Sequence, residues 1–242
     1  MIIRKPTPKD LPRLSFLWQE AFGEDQEDVE RFYETAFSCD RALLVQEQNP
    51  VAGIYWIDAQ IAGHKVAYLY AFAVDKTCRS KGIGKTLLAK TLETLKGEGY
   101  KAAVLVPGEE SLYSYYQKAD FAPFGKTEKV TVEKKAPGLP VKKITPDAYL
   151  AKRQGLAPAV VWGEEAVSYL GKLCDLYAGE DWLLATGREG VQEFIGNTQD
   201  LPHILYTLNI EKTSVLAPGE KSCAMACCFA KIALPDTFCP SF

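Results

Sequence analysis

Between Val66 and Gly99 the hydrophobic period changes once, from two to about 3.6, and the change falls on glycines. Residues 66–74 alternate without a charge. The alternation predicts Val66, Tyr68, Tyr70, Phe72 and Val74 on one face of a buried strand, with Ala67, Leu69, Ala71 and Ala73 on the other. Asp75 and Lys76 end the strand, and Arg79-Ser80-Lys81-Gly82-Ile83-Gly84 follows. Ile83, Leu87, Leu88, Leu92 and Leu95 then repeat at helical spacing until Gly97 and Gly99.

A strand that enters a helix through glycines builds an anion site. The first N–H groups of a helix have no partner inside it, and the helix dipole adds partial positive charge there. Gly82 and Gly84 carry no Cβ, so a phosphate can approach the main chain, and Arg79, Lys81 and Lys85 add charge. The expected ligand carries a pyrophosphate. A dinucleotide fold would need a third glycine and an acid for the ribose. A nucleoside-triphosphate loop of the form G-x-x-x-x-G-K-[ST] finds its second half in Gly84-Lys85-Thr86, but Arg79 stands where its first glycine belongs. The strand at 102–106 also runs into Pro107-Gly108 rather than a magnesium-binding aspartate.

The pattern R-x-x-G-x-G after Phe72-Ala73-Val74 resembles the GNAT superfamily of acyl-CoA-dependent N-acetyltransferases. In that family the loop wraps the pyrophosphate of coenzyme A, and the end of the strand binds the pantetheine amides and the acetyl carbonyl. The resemblance implies that Phe72, Ala73, Val74, Arg79, Ser80, Lys81, Gly82, Ile83, Gly84 and Lys85 hold acetyl-CoA as a cosubstrate, with no metal.

The rest of the first 135 residues reads in the same sense. Ile2 and Ile3 start a strand. Thr7-Pro8 opens a helix that carries Leu11, Leu14, Leu17, Trp18 and Phe22 inward, and a second helix starts near Asp25 with Val29, Phe32, Tyr33 and Phe37 on one side. Its other side holds Glu24, Asp25, Glu27, Asp28 and Glu30, either a solvated face or an attraction for a cationic amine. Residues 42–47, 51–61 and 65–74 read as an antiparallel meander, and His64 falls in its second turn, the usual place of a solvated histidine. After the glycine loop and its helix come a strand at 102–106, a short helix from Glu109 to Ala119 and a strand at 127–133. This order matches the GNAT fold, an α/β (α+β) architecture with a mixed, mostly antiparallel sheet flanked by helices.

The family's later signature, Tyr-x-x-x-Gly-Phe, matches Tyr116-Gln117-Lys118-Ala119-Asp120-Phe121, with Asp120 in the glycine's place. Aspartate tolerates a left-handed conformation better than most residues. The asparagine that the family often carries seven before the tyrosine falls on Glu109. The resemblance implies that Tyr116 protonates the leaving thiolate. Tyr113, one turn earlier, competes for that role, and packing of the helix against the sheet is the alternative for both. The base is open. Tyr70 stands where the family often has a glutamate, which leaves Asp58, the C-terminal carboxylate of Phe242 or a water chain. Trp18, Phe32, Tyr33, Trp56 and Tyr68 suit either an acceptor cleft or the core.

Residues 136–146 read as a linker rich in proline and lysine. Residues 147–242 read as a smaller α/β half, with helices at 147–156, 164–177 and 188–195 and strands at 181–186, 203–210 and 222–234. It suits a degenerate, GNAT-like second lobe of the enhanced intracellular survival type. Cys223, Cys227 and Cys228 lack a nearby histidine and read as buried reduced thiols rather than a metal site. A net charge of −3 speaks against nucleic acid, and no apolar run is long enough for a membrane span. The opening MIIRKPTPKD lacks a signal peptide's apolar core, so a cytoplasmic protein is expected. The expected activity is acetyl transfer from acetyl-CoA to a small-molecule or peptide amine. The alternatives are a non-catalytic acyl-CoA-binding module and a P-loop nucleotide-binding protein.

Overall fold

The computed structural model describes residues 1–156, 158–188 and 190–238, which form two compact units. The first comprises Met1–Pro123 and Met225–Ala233, and the second Phe124–Ala224 with residues 234–238.

The first unit begins with β1 (Ile2–Arg4), α1 (Leu11–Phe22) and α2 (Gln26–Thr35). Asp10 fixes the entry to α1. It accepts from the main-chain N–H and hydroxyl of Thr7 and pairs with Arg4 at 2.7 Å. Asp25 caps α2 by accepting from Asp28 N at 2.9 Å. The meander is β2 (Ala42–Gln46), β3 (Pro50–Ile61) and β4 (His64–Val74), antiparallel throughout. α3 (Ile83–Gly97) then crosses to β5 (Ala102–Leu105), which pairs parallel to β4, as a strand–helix–strand crossover requires. α4 (Ser111–Gln117) follows. Ile54, Trp56, Leu69, Leu87 and Leu88 pack in one cluster on the α3 side of the sheet. Leu14 and Leu17 of α1 meet Leu44 and Ala73 on the other side. Each buried leucine or isoleucine among them contributes about 1.5–3 kcal/mol.

One feature of β4 departs from strict alternation. Gly53 pairs with Ala73 and Tyr55 with Tyr70, so Ala71 and Phe72 together oppose Ile54 alone. This is a β-bulge, and Ala71 takes φ +47° to make it. The extra residue inverts the faces beyond it. Tyr68 and Tyr70 lie against each other on the α1–α2 side, where Tyr70 meets Trp18 and Phe32. Phe72 and Val74, expected on the same face as Tyr70, pack with the α3-side cluster instead, and Ala73 turns to α1. Phe22, expected inward, is 48% exposed.

The second unit takes in β6 (Ala122–Glu133) from Phe124 on, followed by β7 (Lys142–Lys143), α5 (Pro146–Gly155), β8 (Val160–Trp162), α6 (Glu164–Leu173), β9 (Cys174–Ala178), β10 (Leu183–Gly187), β11 (Gly190–Ile195), α7 (Leu201–Thr207), β12 (Lys212–Pro218) and β13 (Lys221–Cys228) as far as Ala224. β6 pairs antiparallel with β12, and a separate sheet runs β11-β10-β9-β7. The strand expected at 127–133 therefore belongs here. Beside β5 in the first unit stand Met225–Cys228, the end of β13, antiparallel.

Several expectations for this half are corrected. The helix expected at 188–195 does not form: residues 190–195 are a strand of the hairpin β10–β11, which brings Glu193 to a buried site, where it accepts from Arg153 at 2.9 Å and Tyr149 at 2.8 Å. Residues 203–210 are not a strand: α7 starts at Leu201 with Pro202 in its first turn, and Leu201, Ile204 and Leu205 bury one helical face. The helix from 164 stops at Leu173, the strand near 222 ends at Cys228, and β12 was not foreseen. Cys227 is buried, whereas Cys228 is exposed.

The bulge makes a stability prediction. An alanine held at positive φ costs about 1 kcal/mol relative to glycine, and a β-branched residue more. Ala71→Gly is expected to match or exceed wild-type stability in urea unfolding, and Ala71→Val to lose about 1–3 kcal/mol. An Ala71→Val protein as stable as wild type would contradict the bulge.

Candidate functional site

The glycine loop is built by a sequence of local constraints. Asp75, at the end of β4, accepts from Thr77 N at 2.9 Å and from the Thr77 hydroxyl at 2.6 Å, and it pairs with Arg13 of α1. Those hydrogen bonds and the guanidinium hold its carboxyl below the usual range. Arg79 Nε donates to the Val74 carbonyl at 3.1 Å, which folds the loop back over the strand end. Ser80 at φ +61° and Gly82 at φ +79° then reverse the chain twice. Ile83 buries itself in the core, and Thr86 N closes the first helical bond to the Gly82 carbonyl at 3.0 Å.

A cleft of about 880 Å³ lies over this turn. All of the strand and loop residues singled out from sequence line it except Lys81: Phe72, Ala73, Val74, Arg79, Ser80, Gly82, Ile83, Gly84 and Lys85. Lys81 is exposed and outside the lining. The arrangement follows from strand pairing. β4 and β5 are in register from Val66 and Ala102 to Tyr68 and Val104, and β4 then continues to Val74 while β5 ends at Leu105. α4 and the Pro107-Gly108 break supply the opposite wall through Gly108, Glu109, Leu112, Tyr115 and Tyr116.

Tyr116 is 8% exposed, with its ring 5.2 Å from that of Tyr115 and 5.6 Å from that of Phe121. Burial pushes its phenol well above the ordinary value near 10, so it stays a proton donor. Asp120 adopts φ +63°, the left-handed turn that the glycine of the signature would make. Tyr113 packs against the core and is not in the lining. Tyr115, not singled out by the signature, is in the lining. Its hydroxyl lies 3.1 Å from where a Cβ on Gly84 would stand, with Phe72 Cζ and Val74 Cγ2 each at 3.4 Å. Phe22 and Ala21 from the end of α1 also line the cleft, as does Cys78.

The other candidates fall elsewhere. Asp58 accepts from the Tyr100 hydroxyl, which in turn accepts from Trp56 Nε1 at 3.1 Å, and it is not in the lining. Phe242 lies outside the described residues. His64 is exposed at the start of β4. Trp18, Phe32, Trp56 and Tyr68 are core residues; Tyr33 is half-buried, its hydroxyl 3.0 Å from that of Tyr55 and its phenol pushed by burial up to about 12. The acids of the second helix serve local structure: Glu27 and Asp28 pair with Arg31, Glu30 accepts from Gln26, and Glu24 accepts from Trp18 Nε1 at 2.6 Å. No described helix is long and apolar enough to cross a membrane.

The family profile described as "Acetyltransferase (GNAT) domain" matches residues 2–124. Among solved structures, a GCN5-related N-acetyltransferase from Kribbella flavida superposes with a TM-score of 0.70 at 15% identity, over 93% of this chain and 71% of its own. Eis1 from Mycobacterium abscessus gives 0.67 at 12%, over 94% and 74%. A putative acetyltransferase from Pyrococcus horikoshii gives 0.71 at 16%, over 97% and 91%. At these identities the likeness is one of fold, and it extends past residue 124 into the second unit. No curated protein matches the sequence.

The crowding at Gly84 is testable. A valine there has to fit between Tyr115, Phe72 and Val74, and is expected to weaken binding of a diphosphate-bearing ligand by about tenfold or more, that is 1.4 kcal/mol or more. Gly82→Ala has open space but a left-handed backbone, so it is expected to cost about 1 kcal/mol of stability instead. Calorimetric titration beside urea unfolding separates the two effects; equal binding losses from both would contradict the geometry.

Proposed function

The chain belongs to the GNAT acetyltransferase family, and on that premise we propose that it transfers an acetyl group from acetyl-CoA to a primary amine of a small molecule or peptide by direct attack. One observation carries the reading: a single cleft gathers the end of β4, the glycine turn at the start of α3 and the buried hydroxyl-bearing residue Tyr116. The residues suit the cosubstrate. Gly82 and Gly84 leave the first turn of α3 open to a diphosphate, Arg79 and Lys85 supply countercharge, and Phe72, Ala73 and Val74 offer a strand edge along which pantetheine amides can hydrogen-bond.

The chemistry follows from charge. An alkylammonium must lose a proton before its nitrogen can attack the thioester carbon. As the C–N bond forms, negative charge develops on the carbonyl oxygen, and the main-chain N–H near Val74 is the donor assigned to it. As the C–S bond breaks, Tyr116 donates its proton to the sulfur. Its raised pKa has the right sign for this task. The protonated phenol is the active form, and it persists to a higher pH than an exposed tyrosine would.

Tyr116→Phe is expected to lower kcat by about 10²–10⁴-fold while leaving acetyl-CoA affinity within about twofold. In wild type, no alkaline limb from Tyr116 is expected below pH ~10. Incubation with acetyl-CoA and an amine panel, following released thiol, tests the whole reading. Tight coenzyme binding with no turnover on any amine would identify a non-catalytic acyl-CoA-binding module instead.

A further inference from the structure

We propose that Glu109 is the general base that takes the proton from the acceptor ammonium, an assignment that rests on the acetyl-transfer reading. Among the described residues Glu109 is the one carboxylate in the lining of the cleft. β4 carries none, Asp58 is engaged by Tyr100 outside the cleft, and the acids of the second helix are held in local hydrogen bonds and ion pairs. Glu109 sits where Pro107-Gly108 turn the chain out of β5 and into α4, so it reaches the cleft from the same wall as Tyr116. The side chain is exposed and its Oε1 accepts from the Ser111 hydroxyl at 2.6 Å. A carboxylate offers about four acceptor sites, so one hydroxyl contact orients the group and leaves capacity for an ammonium. The other titratable groups of the lining are Cys78, Arg79, Lys85, Tyr115 and Tyr116. The Arg79 guanidinium and the Lys85 ammonium have no acceptor atom, the Tyr115 and Tyr116 phenols stay protonated because burial raises them, and the Cys78 thiol packs against the α3-side core with its Sγ 3.7 Å from the Thr77 hydroxyl.

The step balances. The ammonium gives one proton to the Glu109 carboxylate and becomes a neutral amine. Its lone pair forms the C–N bond, the C–S bond breaks, and the sulfur takes the Tyr116 proton. The nitrogen's surplus proton restores Tyr116, and Glu109 releases its proton to solvent. Base and acid thus stand on one short segment running from the end of β5 through α4.

The full chain carrying Glu109→Gln tests this, because glutamine keeps an acceptor for Ser111 but is not a base. Two acceptors are compared: an alkylamine, which is protonated at neutral pH, and an arylamine, which is already neutral. Glu109→Gln is expected to keep wild-type melting behaviour and acetyl-CoA affinity. Its kcat/KM for the alkylamine should fall by about 10²-fold at neutral pH and rise tenfold per pH unit toward the amine's own pKa. Its kcat/KM for the arylamine should stay within about threefold. Ser111→Ala, which removes the hydrogen bond and leaves the carboxylate, should remain within about threefold on both. An equal loss on both acceptors, or no loss on the alkylamine, overturns the assignment of Glu109 alone. A wild-type protein that binds acetyl-CoA and acetylates neither amine overturns the acetyl-transfer reading as well.

Discussion

Two parallel strands that part company set up everything else in the first unit. β4 and β5 hold register only from Val66 and Ala102 to Tyr68 and Val104, and β4 then runs on to Val74. A strand edge cannot be left buried without partners for its N–H and C=O groups. An extended ligand with its own amides satisfies such an edge in the way another strand would. The bulge at Ala71 acts at the same place. By inserting one residue it turns Phe72 and Val74 toward the α3 side, where Gly84 and Tyr115 meet them. Without that inversion the strand end would present Ala73 to this side, and the cleft would lose its apolar floor.

The glycine turn cannot hold a coenzyme by itself. A charge at a helix N-terminus gains about 0.3–2 kcal/mol, whereas micromolar affinity requires about 8 kcal/mol. In the proposed complex the rest would come from Arg79 and Lys85 and from the strand edge at Phe72–Val74. The turn sets position more than strength. Arg79 is tied to the Val74 carbonyl and Asp75 to Thr77 and Arg13, so the turn is fixed to the strand before any ligand arrives.

Much of this was legible in the sequence because it depended on neighbours in the chain. The alternation at 66–74, the glycines at 82 and 84 and the helical spacing from Ile83 gave the strand, turn and helix, and Asp120 took the left-handed conformation that its position in the signature required. The illegible parts depended on distant partners. The bulge shows no glycine and is forced by pairing with β3, so the faces of Phe72 and Val74 were read one residue out of phase. Residues 188–195 have a pattern that either period can fit, and the buried Arg153 and Tyr149, far away in sequence, select the strand through Glu193. Met225–Cys228 stand beside β5 although they lie over a hundred residues later, which no local pattern can announce. Tyr115 lines the cleft through the packing of α4, and the signature pattern, which marks only Tyr116, carries no signal for it.

In the proposed reaction, main-chain N–H groups at the start of α3 hold the diphosphate of coenzyme A. A crystal structure of the protein soaked with acetyl-CoA tests it most directly. Diphosphate oxygens are expected within hydrogen-bonding distance of the amides between Gly82 and Lys85, with the pantetheine lying along Phe72–Val74. A coenzyme bound elsewhere, or a loop that ignores it and instead closes on ATP with magnesium, would contradict the account.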